Sequence, residues 1–187
     1  TTALTVVDPK RDYLPLFTAL GAADAIVSIK PNARLPSGER VRINPFDLRD
    51  EDDTVTAEKI SYLLELMRAL RINDLSGRRV SILHEAIQVF YRRFSRPVDR
   101  GGEVVDRYTG EGTLTDFADI ISRLNIVGDK PVLSDPELRR EVSDVANELR
   151  AYTRETPIGT LLDGPTTVNV HSRYLYLDIS GMIDHPQ

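Results

Sequence analysis

The sequence predicts an α/β protein in which a layer of parallel strands is interrupted by an inserted all-α subdomain. Three observations lead there. The apolar run that closes on Leu4-Thr-Val-Val-Asp8 ends in Asp8-Pro9 and gives way to helix-compatible sequence. From Thr54 to Tyr152 apolar residues recur at three-and-four spacing, the period of amphipathic helices. After Pro157 the strand pattern returns. A block of helices set between two β-rich segments is the pattern of an insertion into an α/β layer. The boundaries fall at residues 1–50 for the first α/β segment, 51–156 for the all-α insertion and 157–187 for the returning β segment.

Residues 3–8 predict a short buried strand, followed by a helix from Pro9 to Leu20 that stops at Gly21. Ala25–Ile29 predicts a second strand, and Val41–Ile43 a third, ended by Asn44-Pro45. A helix between the first pair suggests parallel strands. Asp50–Asp53 is an acidic lead-in to a helix carrying Ile60, Leu63, Leu64, Met67 and Leu70. The next helix carries Val80, Leu83, Ile87, Phe90 and Phe94. Ser95–Gly112 reads as a long polar loop, and a short helix with Phe117, Ile120, Ile121 and Leu124 follows. Ser134-Asp-Pro-Glu137 predicts a capping box, with Pro in the first turn of the last long helix. That helix is striped by Leu138, Val142, Val145, Leu149 and Tyr152. Thr167–Val170 and Tyr174–Ile179 predict two strands joined as a hairpin near Ser172-Arg173.

Composition bounds the function without naming it. The chain has 187 residues, 41% hydrophobic and 28% charged, which suits an ordinary globular core. A net charge of −5 gives no overall electrostatic grip on nucleic acid or an anionic membrane, although a local basic patch stays open. Without cysteine there are no disulfides, thiolate metal sites or cysteine nucleophiles. No apolar run approaches the roughly 20 residues of a membrane span, and no signal peptide opens the sequence. The chain starts almost inside a strand and without Met, as expected of a piece of a longer protein.

The candidate chemistry lies at strand ends. Ligands of open α/β sheets bind beyond the carboxyl ends of the strands, where Asp8 and Asp12 are placed. Asp8-Pro9 has a structural reading as the cap and first residue of a helix. It has a functional reading too, with Asp8 and Asp12 facing a nucleotide site and orienting water or hydrated Mg²⁺. The two are compatible. Asn44-Pro45-Phe46-Asp47 reads as a strand-ending turn. His84-Glu85 fails the zinc-protease pattern, because Gln88 stands where the second His is required, and His171 and His185 have no partner at metal-ligand spacing. The pairs Arg78-Arg79 and Arg92-Arg93 read as solvated helix faces or as phosphate contacts. No Gly-Lys dipeptide occurs, so the phosphate-cradling G-x-x-x-x-G-K-[ST] loop is missing, and no apolar strand ends in Asp-Glu. This polypeptide alone is not expected to hydrolyse ATP.

In order, these segments resemble the central part of the conjugation ATPases of type IV secretion, the fourth VirB component and its TraC-like relatives. That family belongs with the HerA and FtsK DNA motors. Val6-Val7-Asp8-Pro9-Lys10-Arg11-Asp12-Tyr13 resembles its V-I-D-P-x-x-E/D-Y-like motif, and Ile43-Asn44-Pro45-Phe46-Asp47-Leu48 its I-N-P-F-D-like segment. Glu85–Tyr91 is similar to the helix before its variable loop, and Thr113-Leu-Thr-Asp116-Phe117 to the start of the next helix. Leu161-Leu-Asp163-Gly164-Pro165-Thr166 is similar to its aromatic-Asp-Gly turn. Tyr174–Ile179 resembles the strand preceding its Asp-Glu motif. Two departures are Leu162, where an aromatic is usual, and Asp12, where Glu is common.

The resemblance implies a partial RecA-like P-loop NTPase layer lacking both nucleotide motifs, which the family carries on either side of such a segment. It implies a parent ATPase, oligomeric with a hexamer as the expected form, at the cytoplasmic inner face of the cell membrane, energising a type IV secretion channel and transfer of DNA or protein. ATP and Mg²⁺ belong to the parent, with Asp8 and Asp12 near the γ-phosphate, and none is expected on this segment alone. The alternatives are a DNA-translocating coupling protein and a non-enzymatic helical interaction module. Absence of the flanking strands would leave sheet edges exposed to pairing.

Overall fold

The computed structural model describes residues 4–22, 25–48, 54–70, 77–153, 156–169 and 174–180. Its elements in chain order are β1 (Leu4–Asp8), α1 (Leu14–Ala19), β2 (Ile26–Ser28), α2 (Ala57–Ala69) and α3 (Gly77–Arg93). They continue with β3 (Ser95–Arg100), β4 (Glu103–Tyr108), α4 (Leu114–Ser122), β5 (Ile126–Val127), β6 (Lys130–Pro131), α5 (Pro136–Arg150), α6 (Gly159–Leu162) and β7 (Tyr174–Asp178).

The principal sheet has the order β1-β7-β2, all parallel. β7, the last strand in sequence, lies between the first two, with Val7 opposite Leu177 and Asp8 opposite Asp178. Both of its edges are taken, so it is no hairpin partner of residues 167–169. Residues 170–173, where that hairpin would turn, lie outside the described residues, and 167–169 form no strand. Val41–Ile43 is also not a strand of this sheet. Its backbone turns instead to the α6 region: Ile43 N–H donates to the Leu161 carbonyl (2.9 Å) and Thr167 N–H to the Arg42 carbonyl (3.1 Å). Pro45 ends that stretch, as the sequence implies.

One sheet face is closed by α1, whose Phe17 packs fully buried on Tyr176 with ring centroids 5.0 Å apart. The other face packs Val27, Ile29, Leu161, Val168 and Leu175 into a small core. α1 starts at Leu14 rather than Pro9, with Pro15 in its first turn. Arg11, at φ 63°, lies in the left-handed region, so a right-handed helix cannot pass through it.

The helices α2 to α5 assemble as their periodicities predict. Thr56 caps α2 by accepting from the Lys59 amide, and Thr113 with Asp116 forms a reciprocal capping box on α4. For α5 the cap is Asp135, which accepts from the amides of Glu137 and Leu138. Ser134 instead donates to the Pro131 carbonyl, so the capping box expected at Ser134 does not form and a simple cap one residue later takes its place. Leu63, Met67, Leu83, Ile87, Phe90, Phe117, Ile121, Val142, Val145 and Leu149 form the main core. Each is essentially removed from water, worth about 1.5–3 kcal/mol per large side chain. Ser95–Gly112 is not a loop throughout: β3 and β4 pair antiparallel across Gly101-Gly102.

Candidate functional site

β1 and β7 are both apolar strands ending in aspartate, and their parallel register sets Asp8 beside Asp178 at the carboxyl end of the sheet. Asp8 is 3% exposed. Its Oδ1 accepts the Lys10 amide (2.9 Å), while Oδ2 accepts the Tyr13 amide (2.8 Å) and the Tyr176 hydroxyl (2.9 Å). The expected helix cap at Asp8 is thus a different device. The carboxylate folds the Lys10–Tyr13 turn back over the strand end, and α1 starts only afterwards.

Burial raises the Asp8 pKa, but the amides of Tyr13 and Lys10 and the Tyr176 hydroxyl outweigh it, leaving a value of about 2. Burial and the hydrogen bond to Asp8 push the Tyr176 phenol up to about 12. Asp8 is therefore ionised at neutral pH, with its oxygens committed, and is suited to positioning rather than to accepting a proton.

Asp178 is held similarly. Its Oδ2 accepts Arg11 Nε and Nη2, both at 2.9 Å, and its Oδ1 accepts the Ser180 hydroxyl (2.6 Å) and amide (3.1 Å). Burial raises its pKa, yet Arg11 and Ser180 bring it below the ordinary value. Asp12 is exposed on the turn that Asp8 fixes. The sheet edge thus presents a fixed pair of anions, the Arg11 guanidinium and a solvent-facing carboxylate.

Sequence reasoning singled out Asp8 and Asp12 but passed over Arg11, Tyr176 and Asp178. The available signal was the repeated pattern of an apolar strand ending in Asp, in Leu4–Asp8 and again in Tyr174–Asp178. That the two strands pair is not written locally.

A second constellation joins the sheet region to the helices. Buried Asn44 donates from Nδ2 to the Gly112 carbonyl (2.9 Å) and accepts the Phe46 amide at Oδ1 (3.0 Å). Its own amide donates to Thr166 Oγ1 (2.7 Å), whose hydroxyl donates to Asp47 Oδ2 (2.6 Å). Asp163 accepts the Thr115 amide (2.9 Å) and hydroxyl (2.6 Å), and Tyr91 donates to the Phe46 carbonyl (2.7 Å). Burial raises the Asp47 pKa despite the Thr166 hydroxyl and the charge of Lys59. Asn44–Asp47, Thr113–Phe117 and Asp163–Thr166, far apart in sequence, therefore meet in one polar joint.

Gly112 sits inside this joint. A Cβ there would lie 2.3 Å from Phe90 Cζ and 2.9 Å from Phe94 Cδ2. Gly112→Ala is expected to lower stability by about 1–3 kcal/mol through overpacking, read as a lower urea midpoint.

Of the remaining candidates, the first arginine pair is structural. Arg78 pairs with Glu137 (2.9 Å) and Glu141 (3.4 Å), and Arg79 with Glu148 (2.9 Å), so the first arginine pair fastens α3 to α5 rather than forming a solvated face. Arg92 and Arg93 are exposed at the end of α3, and so is His84 along it; His171 and His185 lie outside the described residues. Among the described residues no group of three or more His, Asp or Glu is placed to hold a metal ion. Hydrated Mg²⁺ in nucleotide sites needs only one or two carboxylates beside phosphate oxygens. Exposed Asp12 fits a contact through water, whereas Asp8 is already saturated by its donors.

No family model matches this sequence, and no curated protein matches it. Among solved structures, the fold is similar to that of VirB4 of Thermoanaerobacter pseudethanolicus, with a TM-score of 0.64 and 20% identity. The match covers 98% of this chain and 44% of that one, so the chain spans less than half the length of the protein it resembles. What the two share at this identity is the fold.

Proposed function

We propose that this chain is the central part of the motor domain of an oligomeric ATPase that energises type IV secretion or conjugative transfer. The observation that carries the reading is the fold shared with VirB4 across 98% of the chain. The motif order supports it, since the segments that resemble the family build the sheet edge and the polar joint.

In this reading the β1-β7-β2 sheet is part of a RecA-like layer, and nucleotide lies beyond the carboxyl ends of its strands. ATP and Mg²⁺, bound by the longer polypeptide, supply the phosphoryl chemistry. Asp8 does not touch the reacting atoms; it orients the Lys10–Tyr13 turn. Asp12, exposed on that turn, is the carboxylate that would orient water toward bound nucleotide. Arg11, held by Asp178, keeps the turn at a fixed height above the sheet. The helical subdomain meets neighbouring subunits or channel components in a ring, with a hexamer as the expected closure. The ring is held at the inner face of the membrane by those components and acts on a DNA or protein substrate. No helix among the described residues is long and apolar enough to cross a membrane.

Asp12→Asn in the longer polypeptide tests the assignment. Nucleotide binding is expected to persist while turnover falls by about tenfold or more, the scale seen when a group acting through a first ligand is lost. Unchanged turnover would remove Asp12 from the site.

A further inference from the structure

β7 holds the Lys10–Tyr13 turn at two separate points. Side chains two apart on a strand share a face. On β7 the pair facing α1 is Tyr176 and Asp178, with the Phe17 ring of α1 5.0 Å from that of Tyr176. The Tyr176 hydroxyl donates to Asp8 Oδ2 (2.9 Å), the oxygen that also accepts the Tyr13 amide (2.8 Å), and so steadies the foot of the turn. Asp178 accepts the Arg11 guanidinium at 2.9 Å and so holds its tip. Tyr176 and Asp178 are both buried, whereas Asp12, between the held residues Arg11 and Tyr13, is exposed.

The turn's shape is imposed on it. Arg11 has φ 63°, a left-handed conformation that a long side chain keeps only where its surroundings over-determine it. The amide bonds to Asp8 fix the residues on either side, and the pair with Asp178 fixes Arg11 itself. β7 is also the better anchored of the two strands. It is hydrogen-bonded along both edges, and the Asp178 carbonyl accepts the Ile29 amide (2.7 Å). Among the described residues β1 has one neighbouring strand.

With Asp12 taken, as in the proposed function, to act beside bound nucleotide, we propose that Tyr176 and Asp178 are positioning residues for it. β7 sets the height and direction of the Asp12 carboxylate, and β1 only carries the turn. Neither side chain meets the nucleotide. Tyr176 acts through Asp8 and the Tyr13 amide, and Asp178 acts through Arg11. A shift of β7 along β1 would therefore move Asp12 through both holds at once.

Amide hydrogen exchange on the 187-residue chain tests the two holds, with Tyr176→Phe for the first and Asp178→Asn for the second. Arg11→Gln breaks the second from its half-exposed side, where less of the fold is at stake. In each variant, exchange at the Lys10 and Tyr13 amides is expected to rise about tenfold or more, the scale of losing one hydrogen bond to a charged group. The β7 amides should keep their protection, which shows the variant to be folded. In the longer polypeptide, Tyr176→Phe and Asp178→Asn are each expected to lower kcat about tenfold with KM and nucleotide affinity unchanged, a split that lost stability alone does not produce. Turn amides that exchange as in the wild type in the folded variants would overturn the proposal. Unchanged kcat in an active longer polypeptide would overturn it too. A wild-type longer polypeptide that hydrolyses no ATP would remove the nucleotide reading and the role in turnover with it, while the exchange result still decides whether β7 sets the turn.

Discussion

Replacing Asn44 with alanine is expected to lower the unfolding free energy by about 1–3 kcal/mol, because it leaves the buried Phe46 amide without its acceptor and the buried Gly112 carbonyl with only the longer bond from the Tyr108 hydroxyl (3.4 Å). The Gly112 carbonyl loses the Nδ2 donor and the Phe46 amide loses the Oδ1 acceptor, in a place that water does not reach. Phe46 is itself fully buried against Phe90 and Phe117, with centroids 4.3 and 5.0 Å away, so the lesion reaches the main helical core. Urea unfolding followed by far-ultraviolet circular dichroism measures the loss. A double-mutant cycle with Thr166→Val, which removes the hydroxyl linking the Asn44 amide to Asp47, should show coupling of about 0.5–3 kcal/mol. Additive effects would mean that the joint is not one network. The small sheet core should also melt before the helices once the joint is broken, making the transition biphasic.

Asp8→Asn is the second large effect, and its clearest reading is pH dependence. The folded pKa of Asp8, about 2, lies below its ordinary value of 3.8. A depressed carboxylate contributes stability that is complete above the unfolded pKa and is lost as pH falls through the folded one. The wild-type midpoint should therefore fall between about pH 4 and pH 2, with Asp178 adding to the slope in the same direction. In Asp8→Asn the midpoint is expected to be lower already at neutral pH, and the decline in the acid window shallower. An amide can accept through one oxygen only, so it cannot reproduce both sides of the carboxylate that gathers Lys10, Tyr13 and Tyr176. Asp12→Asn, at an exposed position, is the contrast: its midpoint at neutral pH should match the wild type. Equal behaviour of the two variants would show that Asp8 does not organise the turn.

Much of the fold is legible in the sequence because its signals are local. The helices follow from apolar spacing and from caps such as Thr56 and Thr113, whose side chains act within one turn. β1 and β2 follow from short apolar runs with clear stops. What sequence reasoning misplaced depends on contacts distant in the chain. Nothing near Tyr174–Asp178 says that it enters between β1 and β2, more than a hundred residues away, so a hairpin with its near neighbour looked more natural. Val41–Ile43 has strand composition, yet its backbone partners are Leu161 and Thr167.

The β3–β4 ribbon was hidden by its charge. Arg, Asp and Pro outweigh Val98, Val104 and Val105, although Gly101-Gly102 between them is a hairpin signal. The start of α1 was misplaced because Asp-Pro suits a cap, while the Asp8 carboxylate is drawn instead to the turn amides and the Tyr176 hydroxyl. At the candidate site the same division holds. Asp8 and Asp12 stand out from local pattern, whereas Arg11, Tyr176 and Asp178 gain their roles only when β7 is laid beside β1.

The measurement that tests the central claim most directly is ATP turnover by the polypeptide extended on both sides, run beside the 187-residue chain, with both samples verified as folded. The account predicts hydrolysis by the extended polypeptide and none by the shorter chain, whose sequence has neither a phosphate-cradling loop nor a strand ending in Asp-Glu. A folded extended polypeptide that neither binds nor hydrolyses ATP would contradict it and leave the helical subdomain as an interaction module.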